Sequence, residues 1–216
     1  HIKWMMRALK GKGRISSGPG APPMFSSSLF VTKGGGVVSA DRMGVDGPLT
    51  IPADMIITHV AAGGYSPYDM GHSMALSSEG QVLTWGYGLY GQLGLGDTQD
   101  RSVPTLVPDL EGVTAIGAGY SHSLAIKGGA VYTWGDGDCG CLGLGDTIGR
   151  LVPTRVPELQ GIIAVDGGEL FSVALSMDGV LHTWGRNDYG QLGVGDREDR
   201  NVPTRVDTLS HVVDVS

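Results

Sequence analysis

Thr84-Trp85-Gly86-Tyr87-Gly88-Leu89-Tyr90-Gly91-Gln92-Leu93-Gly94-Leu95-Gly96-Asp97 is the stretch that decides the fold, because the chain writes it three times. The second copy is Thr133-Trp134-Gly135-Asp136-Gly137-Asp138-Cys139-Gly140-Cys141-Leu142-Gly143-Leu144-Gly145-Asp146. The third is Thr183-Trp184-Gly185-Arg186-Asn187-Asp188-Tyr189-Gly190-Gln191-Leu192-Gly193-Val194-Gly195-Asp196. The tryptophans fall 49 and 50 residues apart. The register continues outward on both sides. Val103-Pro104-Thr105, Val152-Pro153-Thr154 and Val202-Pro203-Thr204 follow; His72-Ser73-Met74-Ala75-Leu76, His122-Ser123-Leu124-Ala125-Ile126 and Phe171-Ser172-Val173-Ala174-Leu175 precede. A fixed period of this kind is the signature of a repeat architecture.

A period near 50 suits either a solenoid of helix pairs or a propeller blade, and the local pattern chooses. Val82, Val131 and Leu181 stand three before each tryptophan and Thr84, Thr133 and Thr183 one before, with Leu83, Tyr132 and His182 alternating between them. Gly80, Gly129 or Gly179 leads each run. Period-two alternation of β-branched residues after a glycine reads as strand. No window carries a capped helical period. Four short strands with turns fit into 50 residues. The 37 glycines supply the turns.

The order Ala-Gly-x-x-His-Ser-x-Ala-Leu, Gly-x-Val-x-x-Trp-Gly, Gly-Gln-Leu-Gly-x-Gly-Asp, Val-Pro-Thr resembles the regulator-of-chromosome-condensation repeat over about residues 49–216. The resemblance implies an all-β fold: a β-propeller of four-stranded blades, here partial, with three clear blades and partial ones at both ends. Residues 209–216 align with 110–117 and 159–166, the start of a fourth repeat. Residues 26–48 read as a degenerate half-blade, because Leu29-Phe30-Val31 and Val37-Val38-Ser39 match the strands around Gly128-Gly129 without a tryptophan. The chain is therefore expected to be part of a larger protein or assembly.

Charge is uneven. Residues 1–40 hold six basic residues and no acidic one, leaving nine basic and 22 acidic residues in the remainder. An acidic body repels phosphate backbones, so nucleic acid contact is expected only through the tail. Residues 1–25, basic and rich in serine and glycine, read as a disordered tail or as a mitochondrial or plastid transit peptide. The expected location is intracellular, in an organelle or alternatively in nucleus or cytoplasm. No apolar run reaches the length of a membrane span. Cys139 and Cys141 are too close for an ordinary disulfide and too few for zinc, and read as reduced thiols.

Gly86-x-Gly88-x-x-Gly91 and Gly135-x-Gly137-x-x-Gly140 mimic a dinucleotide fingerprint, but no helix follows and the motif recurs. Gly88, Gly137 and Asn187 are expected to share tolerance of positive φ in a turn. His72 and His122 share a slot with Phe171, so they are expected to pack, each with one hydrogen bond. Asp97, Asp146 and Asp196 are expected to accept backbone N–H groups in turns. No catalytic set, cofactor site or metal site is expected. The insertion Tyr65-Ser66-Pro67-Tyr68-Asp69-Met70 breaks the repeat, which nominates Tyr65, Tyr68 and Asp69 as a protein-binding surface. The resemblance implies a non-enzymatic protein-interaction scaffold, partnered by a multi-subunit complex. The alternative it implies is a guanine-nucleotide exchange factor for a small Ras-type GTPase.

Overall fold

The computed structural model describes residues 29–31, 37–39, 47–48, 51–52, 54–64, 71–209 and 211–215. The expected tail falls outside the described residues, as does much of 26–48. Fifteen strands are present among the described residues. Leu29–Val31 (β1), Val37–Ser39 (β2) and Gly47–Pro48 (β3) form a small antiparallel sheet whose β1 lies beside the first strand of the first blade. Three four-stranded antiparallel sheets follow. The first is Ile57–Gly63 (β4), His72–Ser77 (β5), Val82–Gly86 (β6) and Arg101–Leu106 (β7). The second is Val113–Ala118 (β8), His122–Lys127 (β9), Ala130–Gly135 (β10) and Arg150–Arg155 (β11). The third is Ile162–Gly167 (β12), Phe171–Ser176 (β13), Leu181–Gly185 (β14) and Arg200–Arg205 (β15). The sheets are meanders, and β4, β8 and β12 stand next to one another at the inner edge, so each sheet is a blade.

Burial follows position across the blade. Every residue of β5 is buried, because the blade is covered on both faces. Met74 and Leu76 face Val113, Ala125 and Trp134 of the second blade, and Leu124 and Ile126 face Ile162, Ala174 and Trp184 of the third. The outer strands are half-exposed and carry Pro104, Pro153 and Pro203, tolerable at an edge where no ladder N–H is needed. Each outer strand pairs with a register shift at the tryptophan of its neighbour, between Thr84 and Gly86, Thr133 and Gly135, and Thr183 and Gly185. At Gly128-Gly129 both φ angles are positive, as a two-residue hairpin with matching twist requires. The connection leaving the third blade runs as the earlier ones do: Val212 N–H donates to Gly179 C=O, as Val113 does to Gly80 and Ile162 to Gly129.

Adjacent blades are joined by one repeated device. The Trp134 indole N–H and the Ser123 hydroxyl both donate to the carbonyl of Gln92 in the preceding blade, each at 2.9 Å. Trp184 and Ser172 do the same to Cys141, each at 2.8 Å. Ser123 thereby spends its proton, so His72 Nε2, 2.9 Å away, must donate to the serine oxygen. His122 Nε2 meets Ser172 in the same way at 2.9 Å. Both histidines are therefore neutral Nε2–H tautomers, and their Nδ1 atoms are buried without a partner. The imidazoles lie against glycines at the ends of the first strands: a Cβ on Gly63 would stand 2.6 Å from His72 and one on Gly119, just past β8, 2.2 Å from His122. In the third blade the Phe171 ring lies as close to Gly168.

Protonating either histidine would place a charge at a buried nitrogen with no acceptor. Burial lowers His72 to about 3, helped by the nearby His122, and lowers His122 to about 4. The unfolded chain takes up these protons near pH 6.5 and the folded chain does not. Stability is thus full above about pH 6.5 and falls toward pH 4 by up to about 1.4 kcal/mol per pH unit for each histidine. Urea unfolding across that window should show a steeper loss for the native protein than for H72F/H122F. Parallel curves would contradict the neutral-histidine joint.

Candidate interaction face

Register places two sets of connections at one end of the blades. Gly63, Gly86 and His72 are neighbours across the first blade, as are Gly135 and His122 in the second and Phe171 and Gly185 in the third. The first-to-second-strand turns and the long loops at 87–100, 136–149 and 186–199 therefore share one face. At its centre the ends of β4, β8 and β12 enclose a recess of about 650 Å³, lined by Gly63, Gly64, Gly119, Tyr120, Gly168 and Glu169.

The repeated residues hold these loops in shape. Thr84, Thr133 and Thr183 donate to the carbonyls of Leu93, Leu142 and Leu192 at 2.7–2.8 Å. Asp97, Asp146 and Asp196 each accept the N–H two residues on, from Gln99, Ile148 and Glu198. Each also pairs with an arginine four residues on: Arg101 at 2.7 Å, Arg150 at 2.8 Å and Arg200 at 2.5 Å. These bonds hold the carboxyls below the usual range, chiefly through the turn N–H in Asp97 and Asp196 and through the arginine in Asp146. Sequence reading found the turns and missed the arginines, although Arg101, Arg150 and Arg200 keep the same spacing in all three copies.

The expectation for the fingerprint-like motif needs correction. Gly86, Gly91, Gly135, Gly140, Gly185 and Gly190 have positive φ, but the middle position does not, Gly137 having φ −104. Glycine sits there because the loop closes on itself: a Cβ on Gly88 would lie 2.4 Å from the Gln99 oxygen, and one on Gly137 2.5 Å from Ile148. Asn187 solves the same closure with its amide. It donates to the carbonyls of Asp196 and Glu198 at 3.1 and 3.0 Å and accepts from Leu192 N–H.

Side chains that differ between copies are the ones this face presents. The first blade offers Tyr87, Leu89 and Tyr90, the second Asp136 and Asp138, and the third Glu169, Arg186, Asp188 and Tyr189. Arg186 pairs with Asp188 at 2.7 Å, approaches Glu169 at 3.7 Å, and lies over Tyr189, its guanidinium carbon 5.9 Å from the ring centre. Cys139 and Cys141 are free, and burial raises both thiols. Cys141 serves the fold through its carbonyl. Tyr65, Tyr68 and Asp69 lie outside the described residues; Gly64 and Gly71, which flank them, are at this end of the first blade. No group of three metal-ligating side chains occurs among the described residues.

The family model "Regulator of chromosome condensation (RCC1) repeat" matches residues 79–126, 128–175 and 178–216, and a second model of that repeat matches 162–191. Among curated proteins, the chain is 39% identical over 93 residues to "RCC1 domain-containing protein RUG3, mitochondrial" of Arabidopsis thaliana, covering 41% of this chain and 20% of that protein. It is 39% identical over 74 residues to the E3 ubiquitin-protein ligase HERC2 of Homo sapiens, covering 32% of this chain and 1% of that one. Among solved structures, human WBSCR16 superposes with a TM-score of 0.72 at 27% identity, over 88% of this chain and 52% of that one. Yeast RCC1 (Prp20), solved with Kap60, superposes with a TM-score of 0.67 at 22% identity, over 84% and 46%. The chain thus spans a fifth or less of these curated relatives and about half of these structures. The fold is that of the RCC1 β-propellers.

Asn187 offers a test of the loop-closure account. N187A keeps the Cβ and loses the amide, and should cost about 1–3 kcal/mol in denaturant unfolding. N187G can close as the Gly88 and Gly137 loops do, and should cost less. The reverse order would refute the account.

Proposed function

The chain belongs to the regulator of chromosome condensation repeat family, and from that membership we propose that it is a non-enzymatic protein-interaction scaffold working through its long-loop face. Family relatives include interaction and regulatory proteins, which is the level the likeness itself reaches. One observation carries the finer reading. On this face the residues common to all copies are taken up by blade joints and loop closure, while the exposed side chains differ from copy to copy. A surface varied in chemistry in this way suits recognition of a protein partner.

The acidic side chains Asp136, Asp138 and Glu169 on that face favour one competing reading, exchange of guanine nucleotide on a small Ras-type GTPase. Tyr65, Tyr68 and Asp69 remain proposed partner contacts. The acid-free basic N-terminus, together with the likeness to a relative whose name says mitochondrial, supports a mitochondrial location.

Affinity capture of the tagged full chain, with mass-spectrometric identification, tests the reading. We expect a defined protein complex whose recovery is indifferent to GTP and GDP. The double variant E169K/Y189A, changed at exposed positions, should lose at least about tenfold of that recovery without a change in melting temperature. E111K, away from the long loops, should lose none. A GTPase released by excess nucleotide would replace the scaffold with the exchange factor, and equal recovery by E169K/Y189A would remove the face from the interaction.

A further inference from the structure

The first blade leaves an aromatic corner open on the same face. Tyr87 and Tyr90 meet edge to face, ring centres 6.1 Å apart at 62°. Tyr90 is 40% exposed and Leu89 54%. Tyr87 is half-buried, its loop pinned by Asp100, whose carboxylate accepts the Gly88 N–H at 2.8 Å.

The third blade shows what such a position takes. In repeat register Arg186 stands at Tyr87, Asp188 at Leu89 and Tyr189 at Tyr90. There the chain lays its own guanidinium over the tyrosine and steadies it with Asp188. In the first blade the internal arginine is replaced by a second aromatic ring, and among the described residues no cation covers Tyr90. Arg101 of the same loop is committed to Asp97 and to the Gln99 carbonyl.

Resting on the scaffold reading, we propose that the Tyr87–Tyr90 corner binds an arginine side chain of a partner protein, the guanidinium lying against the exposed side of Tyr90 with Tyr87 as its second wall. An exposed aromatic ring walled by a second one, with the Asp100 carboxylate fixed in the same loop, favours a cation. Burial raises the Tyr87 phenol, and the charges of Tyr90 and Asp100 add to this; of these, the Asp100 charge is the part that would also attract a guanidinium. Beyond residue 40 the chain has 22 acidic residues against nine basic ones, so a basic segment is drawn to it at longer range. Arginine is preferred to lysine because its planar, weakly hydrated group stacks on rings.

The test titrates the full chain with a short alternating Arg-Gly peptide and with its Lys-Gly and citrulline-Gly counterparts, following the ring protons of Tyr87 and Tyr90. The Arg peptide should bind about threefold tighter than the Lys peptide and about tenfold tighter than the uncharged one, and shift both rings. Y90A and Y87L should each weaken it about fivefold at unchanged melting temperature, while E111K, away from the long loops, should not. Arg and Lys peptides binding alike, with Y90A indifferent, would mean diffuse attraction to an acidic surface and overturn the assignment. A synthetic peptide of residues 1–28 that shifts both rings when the Arg peptide does not would give the corner to the chain's own tail and overturn it equally. If the Arg peptide fails while E169K/Y189A still loses its captured complex, this inference falls and the scaffold stands.

Discussion

One carbonyl per junction carries the architecture. Gln92 C=O and Cys141 C=O each accept an indole N–H and a serine hydroxyl from the following blade, which uses both lone pairs of a single buried oxygen. A buried acceptor left unpaired would cost about 1–3 kcal/mol. Tryptophan and serine are therefore fixed together, and so is the glycine beneath the indole: a Cβ on Gly94 would stand 2.7 Å from Trp134 and one on Gly143 2.8 Å from Trp184. The register shift beside each tryptophan falls in its pairing with the outer strand, while Trp134 and Trp184 stay in register with Ser123 and Ser172 of their own blade, the serines that share the joint. What looks in sequence like a motif inside a repeat is half of a joint between repeats.

That distinction explains what could be read beforehand. Period, strand pattern and turn glycines are local, so the three blades and the bland role of His72, His122 and Asp97 were legible from spacing alone. The joint was not, because its partners lie 31 to 51 residues apart and one of them is a backbone oxygen with no side-chain signature. Gln92 and Cys141 could differ freely in sequence for that reason. The middle position of the Gly-x-Gly-x-x-Gly stretch misled for a related one. Asn187 and glycine share a tolerance of positive φ, yet the structure uses a different property, the ability to bring two stretches of loop together.

The candidate face follows from subtraction. Once joints and loop closure have claimed the invariant residues, Tyr87, Tyr90, Glu169, Arg186 and Tyr189 remain; Asp136 does not, because its carboxylate accepts the Ser121 hydroxyl and the Asp138 N–H. Arg186 and Tyr189 show that such positions can neutralise one another within a blade, and Tyr87 and Tyr90 show one that has not. A repeat protein acquires a specific surface in this way, because each blade can change its loop side chains without disturbing the next.

Phe171 shows how the joint itself can vary. It occupies the same bed against Gly168 as His122 does against Gly119, so packing alone admits either ring. It has no nitrogen, so it cannot donate to a hydroxyl as His72 donates to Ser123 and His122 to Ser172. The chain of His–Ser bonds linking the first blade to the second and the second to the third therefore stops at Phe171, and with it the buried Nδ1 that makes the first two joints sensitive to acid. Aromatic packing preserves the shape of the slot, while the proton that couples one blade to the next is optional.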